Sequence, residues 1–162
     1  MKRILVLGCG NRFFGDDGFG PEVVDHFLKS HPVPEHTEIL DAGTSVRNLL
    51  FDIILGEERP EKIVIIDAVD AGRNPGEVFE LQLSEIPHKN LDNFCMHSLP
   101  TSNLLLELQQ YCGVEVQVIS AQVESIPDCV RPGLSPPMLR AVPEVCARIM
   151  DAIQPSARIS HQ

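Results

Sequence analysis

The chain is poor in positive charge: 13 Lys and Arg stand against 23 Asp and Glu, for a formal charge of −10. No nucleic-acid partner is expected, because phosphate binding calls for a basic face. No apolar stretch approaches the length of a membrane helix, so no membrane insertion is expected either. The run Ile4–Leu7 behind Met1-Lys2-Arg3 is too short for a signal peptide and is closed by Arg12, so it reads as a buried strand. No CxxC pair occurs among the five cysteines, Cys9, Cys95, Cys112, Cys129 and Cys146, and their number is odd. That pattern points to reduced thiols in a cytoplasmic protein. Cys112 and Cys146 are expected as buried apolar filler. Cys9 and Cys95 have no partner fixed by local spacing and are read as inert. There is no internal repeat and no linker. The 162 residues are therefore expected to form one domain over 1–154, followed by a polar tail over 155–162.

Apolar residues make up 43% of the chain, enough for a substantial core. Strand and helix signals alternate along it. Strand signals fall on Arg3–Leu7, Thr37–Leu40, Lys62–Ile66, Glu77–Leu81 and Val114–Ile119. Helices are predicted over about Pro21–Lys29, from Val46 to a stop at Gly56 with Thr44 or Ser45 as cap, over Leu99–Tyr111, and from Ser135 to about Ile153. Pro143 should kink or interrupt the last of these. The alternation predicts an α/β fold with three layers, a mainly parallel twisted sheet between helices on both faces. Glu77–Leu81, reached through the short turn Asn74-Pro75-Gly76, is the candidate antiparallel strand.

The chemistry concentrates in the loop after the first strand, Gly8-Cys9-Gly10-Asn11-Arg12-Phe13-Phe14-Gly15-Asp16-Asp17-Gly18-Phe19-Gly20. In a parallel α/β protein this loop lies at the carboxyl edge of the sheet, where ligands bind. Glycine-rich loops at that place usually cradle phosphate with backbone N–H groups. Asp16-Asp17 would repel phosphate and suit a metal ion, a proton transfer, or a basic or metal-bearing partner. A dinucleotide reading is weak for a second reason: Phe13 stands where the third glycine of GxGxxG belongs. Gly18 and Gly20 are expected to let the backbone turn sharply, with Gly18 at positive φ.

Asp41 and Asp67 close the second and third predicted strands. Right-handed crossovers bring these ends and Asp16-Asp17 to one edge. A single terminal Asp commonly caps a turn; three at corresponding ends are harder to dismiss. His97 precedes the third predicted helix on the same edge. With Asp17 and Asp67 it would make a set of two carboxylates and one imidazole suited to Zn, Ni or Mn. The same trio could equally activate a water with a carboxylate as base.

Gly8-Cys9-Gly10-Asn11 with Asp16-Asp17-Gly18-Phe19-Gly20, then Asp41-Ala42-Gly43-Thr44, Ile65-Ile66-Asp67-Ala68-Val69 and Met96-His97 resemble the nickel–iron hydrogenase maturation endopeptidases. The order and spacing continue to Gly133-Leu134-Ser135-Pro136. The wording of the first loop resembles the branch serving deazaflavin-reducing hydrogenases of methanogenic archaea. The resemblance implies a small α/β peptidase that removes the C-terminal extension of a hydrogenase large-subunit precursor once nickel is in place. It implies metal-contacting and catalytic roles for Asp17, Asp67 and His97; many members carry Glu where this chain has Asp17. It implies substrate contacts at Asp16, Asp41, Gly43 and Thr44. No tightly held cofactor is implied: the nickel is the precursor's own, and Zn or Cd could substitute for it at the site. A nickel-dependent binding or chaperone module that inspects the precursor without cutting it is the alternative.

Overall fold

A computed structural model describes residues 3–83 and 101–155, apart from the side chain of Thr101. Among these residues five strands form one sheet: β1 (Ile4–Cys9), β2 (Thr37–Gly43), β3 (Lys62–Val69), β4 (Val78–Glu80) and β5 (Glu115–Gln122), in the order β2-β1-β3-β5-β4. The β1–β2, β1–β3 and β3–β5 pairs are parallel, and β4 joins the edge antiparallel to β5. Among the described residues four α-helices pack on the sheet: α1 (Phe19–Ser30), α2 (Val46–Leu55), α3 (Thr101–Tyr111) and α4 (Pro136–Ala152). The α/β architecture matches the predicted one, including the antiparallel strand.

The period-two alternation of the strands divides the core in two. Val6, Val64, Ile66, Ile119 and Ala121 face α1 and α4, meeting Phe19, Val23, Val24, Phe27, Met138, Val145 and Ile149. Leu5, Leu7, Cys9, Ile63, Ile65 and Val118 face α2 and α3, meeting Val46, Leu50, Leu104, Leu105 and Leu108. Cys146 is buried in the first of these cores, where loss of solvation pushes its thiol up to about 11. Cys112 is only half-buried. Cys95 and the predicted start of the third helix at Leu99 lie outside the described residues.

Several boundaries differ from expectation for physical reasons. β3 runs three residues past Ile66 because Asp67, Ala68 and Val69 pair in register with Ser120, Ala121 and Gln122 of β5. Asp67 is therefore inside a strand and not just beyond one. β2 likewise extends through Asp41 to Gly43, with a register irregularity where Cys9 pairs with Gly43. Pro143 does not interrupt α4. It sits on the exposed side, so the carbonyl of Leu139 that loses its helical donor can turn to water.

Candidate active site

The sheet changes direction between β1 and β3: the chain goes from β1 outward to β2, then crosses back to β3. Such a reversal opens a crevice at the carboxyl ends of the strands. Here the last pair between β1 and β3 is Gly8 with Ile66. The next residue of β3 is Asp67, and the chain beyond β1 turns away into the acidic loop. Asp17, in the loop after β1, and Asp67, on β3, thus both lie at this end of the two strands.

The acidic pair forms a single 3-10 turn, Gly15–Gly18, that leads directly into α1 and packs against β3. Both of its carboxylates are 2% exposed, and they point to different tasks. Asp17 Oδ2 accepts the backbone N–H of Asn11 at 3.1 Å, which folds the loop around the carboxylate. Gly10 lies against it at φ 130, where any Cβ would run into the carbonyl oxygen of Asp17. Gly18, in contrast, has φ −80, so the positive φ expected there is not observed; Gly10 and Gly15 carry it instead.

Asp16, expected at the substrate, is placed otherwise. Its Oδ1 accepts the N–H of Ser135 at 2.7 Å, and its Oδ2 accepts the N–H of Glu124 at 2.9 Å and the Ser135 hydroxyl at 2.8 Å. Both oxygens are committed to the segments before α4, so the carboxylate ties the first loop to the last helix. Ser135, which could have capped α4 with its side chain, spends it on Asp16. Asp16→Ala would leave three donors without their charged acceptor. A loss of about 3 kcal/mol is expected in chemical denaturation; an unchanged midpoint would show that the tie carries no stability.

Asp67 is 1% exposed, and its Oδ1 accepts the N–H of Ala68 at 2.8 Å. Asp41 and Thr44 are exposed, while Gly43 adopts φ 51 and is held by Asp41 Oδ1 at 2.9 Å. The N–H of Gly10 donates to the carbonyl of Gly43 at 3.0 Å, so the segment ending β2 is joined to the acidic loop.

Arg12 was not singled out from the sequence, yet it organises this rim. Its Nη2 lies 2.8 Å from Asp25 and 3.2 Å from Asp41 and donates to the carbonyl of Pro21, while Nη1 is 3.4 Å from Glu22. Burial disfavours the guanidinium charge, but hydrogen bonding and attraction from Asp41 and Asp25 outweigh it and hold the pKa above the ordinary value. Four acceptors converging on one arginine orient the loop more than they stabilise it, since each pair is partly exposed.

His97 lies outside the described residues, so the geometry of the expected trio is given only by its two carboxylates. Among the described residues, no three His, Cys, Asp or Glu side chains form a metal-binding group. Two buried carboxylates at a crevice mouth are hard oxygen donors that fit a divalent cation and leave coordination positions for other ligands. Among the described residues, no helix is long and apolar enough to cross a membrane.

The sequence profile of the hydrogenase maturation proteases matches residues 21–152. The delta subunit of the coenzyme F420 hydrogenase from Methanothermobacter thermautotrophicus is 36% identical over 154 residues, covering 93% of this chain and 94% of that protein. The hydrogenase 2 maturation protease of Escherichia coli is 28% identical, covering 95% and 92%. Among solved structures, the hydrogenase-maturating endopeptidase HybD of E. coli superimposes with a TM-score of 0.72 at 25% identity, over 93% of this chain and 91% of that one. The endopeptidase HycI of E. coli gives 0.69 at 28% identity, over 92% and 90%. The last three of these are named as maturation proteases or endopeptidases, which favours the peptidase reading over a non-cleaving module. With its two buried carboxylates at the β1–β3 crevice, the chain is a peptide-bond hydrolase and belongs to the hydrogenase maturation protease family.

Proposed function

We propose that this enzyme removes the C-terminal extension of a nickel–iron hydrogenase large-subunit precursor in the cytoplasm, and that it does so only after nickel has been inserted. The observation that carries the reading is the pair Asp17 and Asp67, both almost fully buried and both at the mouth of the β1–β3 crevice. Burying a carboxylate is costly unless it is bonded or meets a cation. A site with two carboxylates, and His97 as third ligand, has too few ligands to retain an ion firmly by itself. It suits an ion that arrives already bound to the partner and brings its remaining ligands along.

In this reading the precursor's nickel is part of the substrate. Contact with Asp17, Asp67 and His97 docks the precursor and fixes the scissile peptide in the crevice, which converts cleavage into an effectively intramolecular event. Asp41 and Gly43, joined to the loop through Arg12 and Gly10, contact the substrate chain together with the neighbouring Thr44. A carboxylate takes the proton of the attacking water, whose acidity the cation's charge would raise, and passes it to the departing amine. Asp16 holds the loop in place.

Incubation with precursor, followed by mass spectrometry of the product, tests the reading. Enzyme pretreated with chelator is expected to release the C-terminal peptide from nickel-loaded precursor and to leave nickel-free precursor intact. Equal cleavage of both precursors would sink the nickel requirement. Cleavage of neither would sink the substrate assignment.

A further inference from the structure

Ser120 is wholly buried, and its Oγ has no hydrogen-bond partner among the described residues. Burying a hydroxyl without a partner costs stability, so such a group in a native fold calls for an explanation. The neighbours of Ser120 narrow it. Ser120 falls on the same alternation as Val116 and Val118, so its side chain stands on the α2–α3 face of the sheet. On that face its cross-strand partners are Asp67 of β3 and Phe79 of β4.

Phe79 offers no acceptor. Along β5, Val118 offers none, and Gln122 is committed: Oε1 accepts from Ala71 and Arg73, while Nε2 donates to Asp70 and to the carbonyl of Val123. Among these neighbours only the carboxylate of Asp67 can accept from Ser120. Adjacent strands lie ~4.8 Å apart, within reach of a serine rotamer change. Ser102, the other buried serine without a partner among the described residues, lies in the first turn of α3 and has no such register with a carboxylate of the site.

We propose that Ser120 is a positioning residue for the cleavage reaction, its hydroxyl donating to the Asp67 carboxylate when that carboxylate turns to engage the nickel-bearing precursor. The inference rests on the role given to Asp67 above. A carboxylate that engages a cation is aimed by the donors behind it, and loss of such a donor typically costs ten- to a hundredfold in affinity or activity. The free protein leaves the hydroxyl unpaired, so its benefit appears only in the complex while its cost is borne by the fold alone. Stability and activity should therefore move in opposite directions.

Three variants are compared by kcat/KM on nickel-loaded precursor and by thermal melting of the free protein. Ser120→Ala is expected to lose about tenfold in kcat/KM while its Tm is unchanged or raised. Ser120→Thr keeps the hydroxyl on a side chain suited to a strand and is expected to recover most of the rate. A wild-type rate in Ser120→Ala beside an inactive Asp67→Asn would overturn the role of Ser120 and leave that of Asp67 standing. A lowered Tm in Ser120→Ala, or a folded Ser120→Thr no faster than Ser120→Ala, would overturn it as well. A wild-type rate in Asp67→Asn would overturn both assignments.

Discussion

Asp17→Asn is expected to slow release of the C-terminal peptide by about a hundredfold or more and to leave the fold intact. The amide oxygen of Asn can still accept the N–H of Asn11, so the bond that wraps the loop survives. What disappears is the negative charge and nearly all of the basicity, which either cation contact or proton abstraction requires. Asp67→Asn should behave alike, because its bond to the N–H of Ala68 can also be kept by an amide oxygen. Single-turnover cleavage of nickel-loaded precursor, read by mass spectrometry, measures the effect, and melting curves confirm the fold. Rates within a few-fold of wild type in both variants would remove the carboxylate pair from the mechanism. A loss in one alone would identify which carboxylate does the chemistry. Asp16→Ala gives the contrast: its first effect should be on stability, since its oxygens serve Glu124 and Ser135.

That division between neighbouring aspartates was not legible in the sequence. Asp16 and Asp17 are adjacent, share one residue type and lie in one turn. They differ only in what meets them, and the partners of Asp16 are 108 and 119 positions away. Arg12 was missed for the same reason: its link to Asp41 spans 29 positions and leaves no local pattern. What was legible rests on local rules. The β-branched run of β3, the loop after β1 with its acidic pair, and the amphipathic helices each announce themselves within about a dozen residues. The end of β3 did not, because the polar Asp67 looks like a stop until Ser120 is known to pair with it. The expected break at Pro143 weighs only the lost helical bond, whereas the apolar stripe Met138, Ala141, Val142, Val145 and Cys146 already leaves Pro143 off the buried face, where the loss is tolerated.

Gly20→Ala is expected to be strongly destabilising, costing about 3 kcal/mol or more in chemical denaturation. Its φ is not the reason: Gly20 is the second residue of α1 and lies in regular helix. The reason is approach distance. A Cβ there would press on backbone atoms of Cys9 and lie 2.6 Å from the carbonyl oxygen of Ile66. On the facing strand, a Cβ on Gly8 would be 2.6 Å from Val24 Cγ2 and would also meet the carbonyl of Gly20. Two glycines thus let α1 sit directly on the ends of β1 and β3, with no flexible side chain between them that could give way. Backbone cannot yield by rotamer change, so the helix itself must lift. Gly72→Ala is the control: its φ of 70 is strained for alanine, yet nothing lies within 4 Å of the added methyl, and a cost of about 1 kcal/mol is expected from the backbone alone. Equal losses in the two variants would show that close approach at Gly20 contributes nothing. The same contact sets the site, since α1 begins one residue after the turn that carries Asp17, and Ile66 directly precedes Asp67. Any Gly20→Ala protein that remains folded should therefore cleave precursor more slowly than Gly72→Ala at matched folded fraction, because lifting α1 shifts Asp17 away from Asp67, the carboxylate it is proposed to act with.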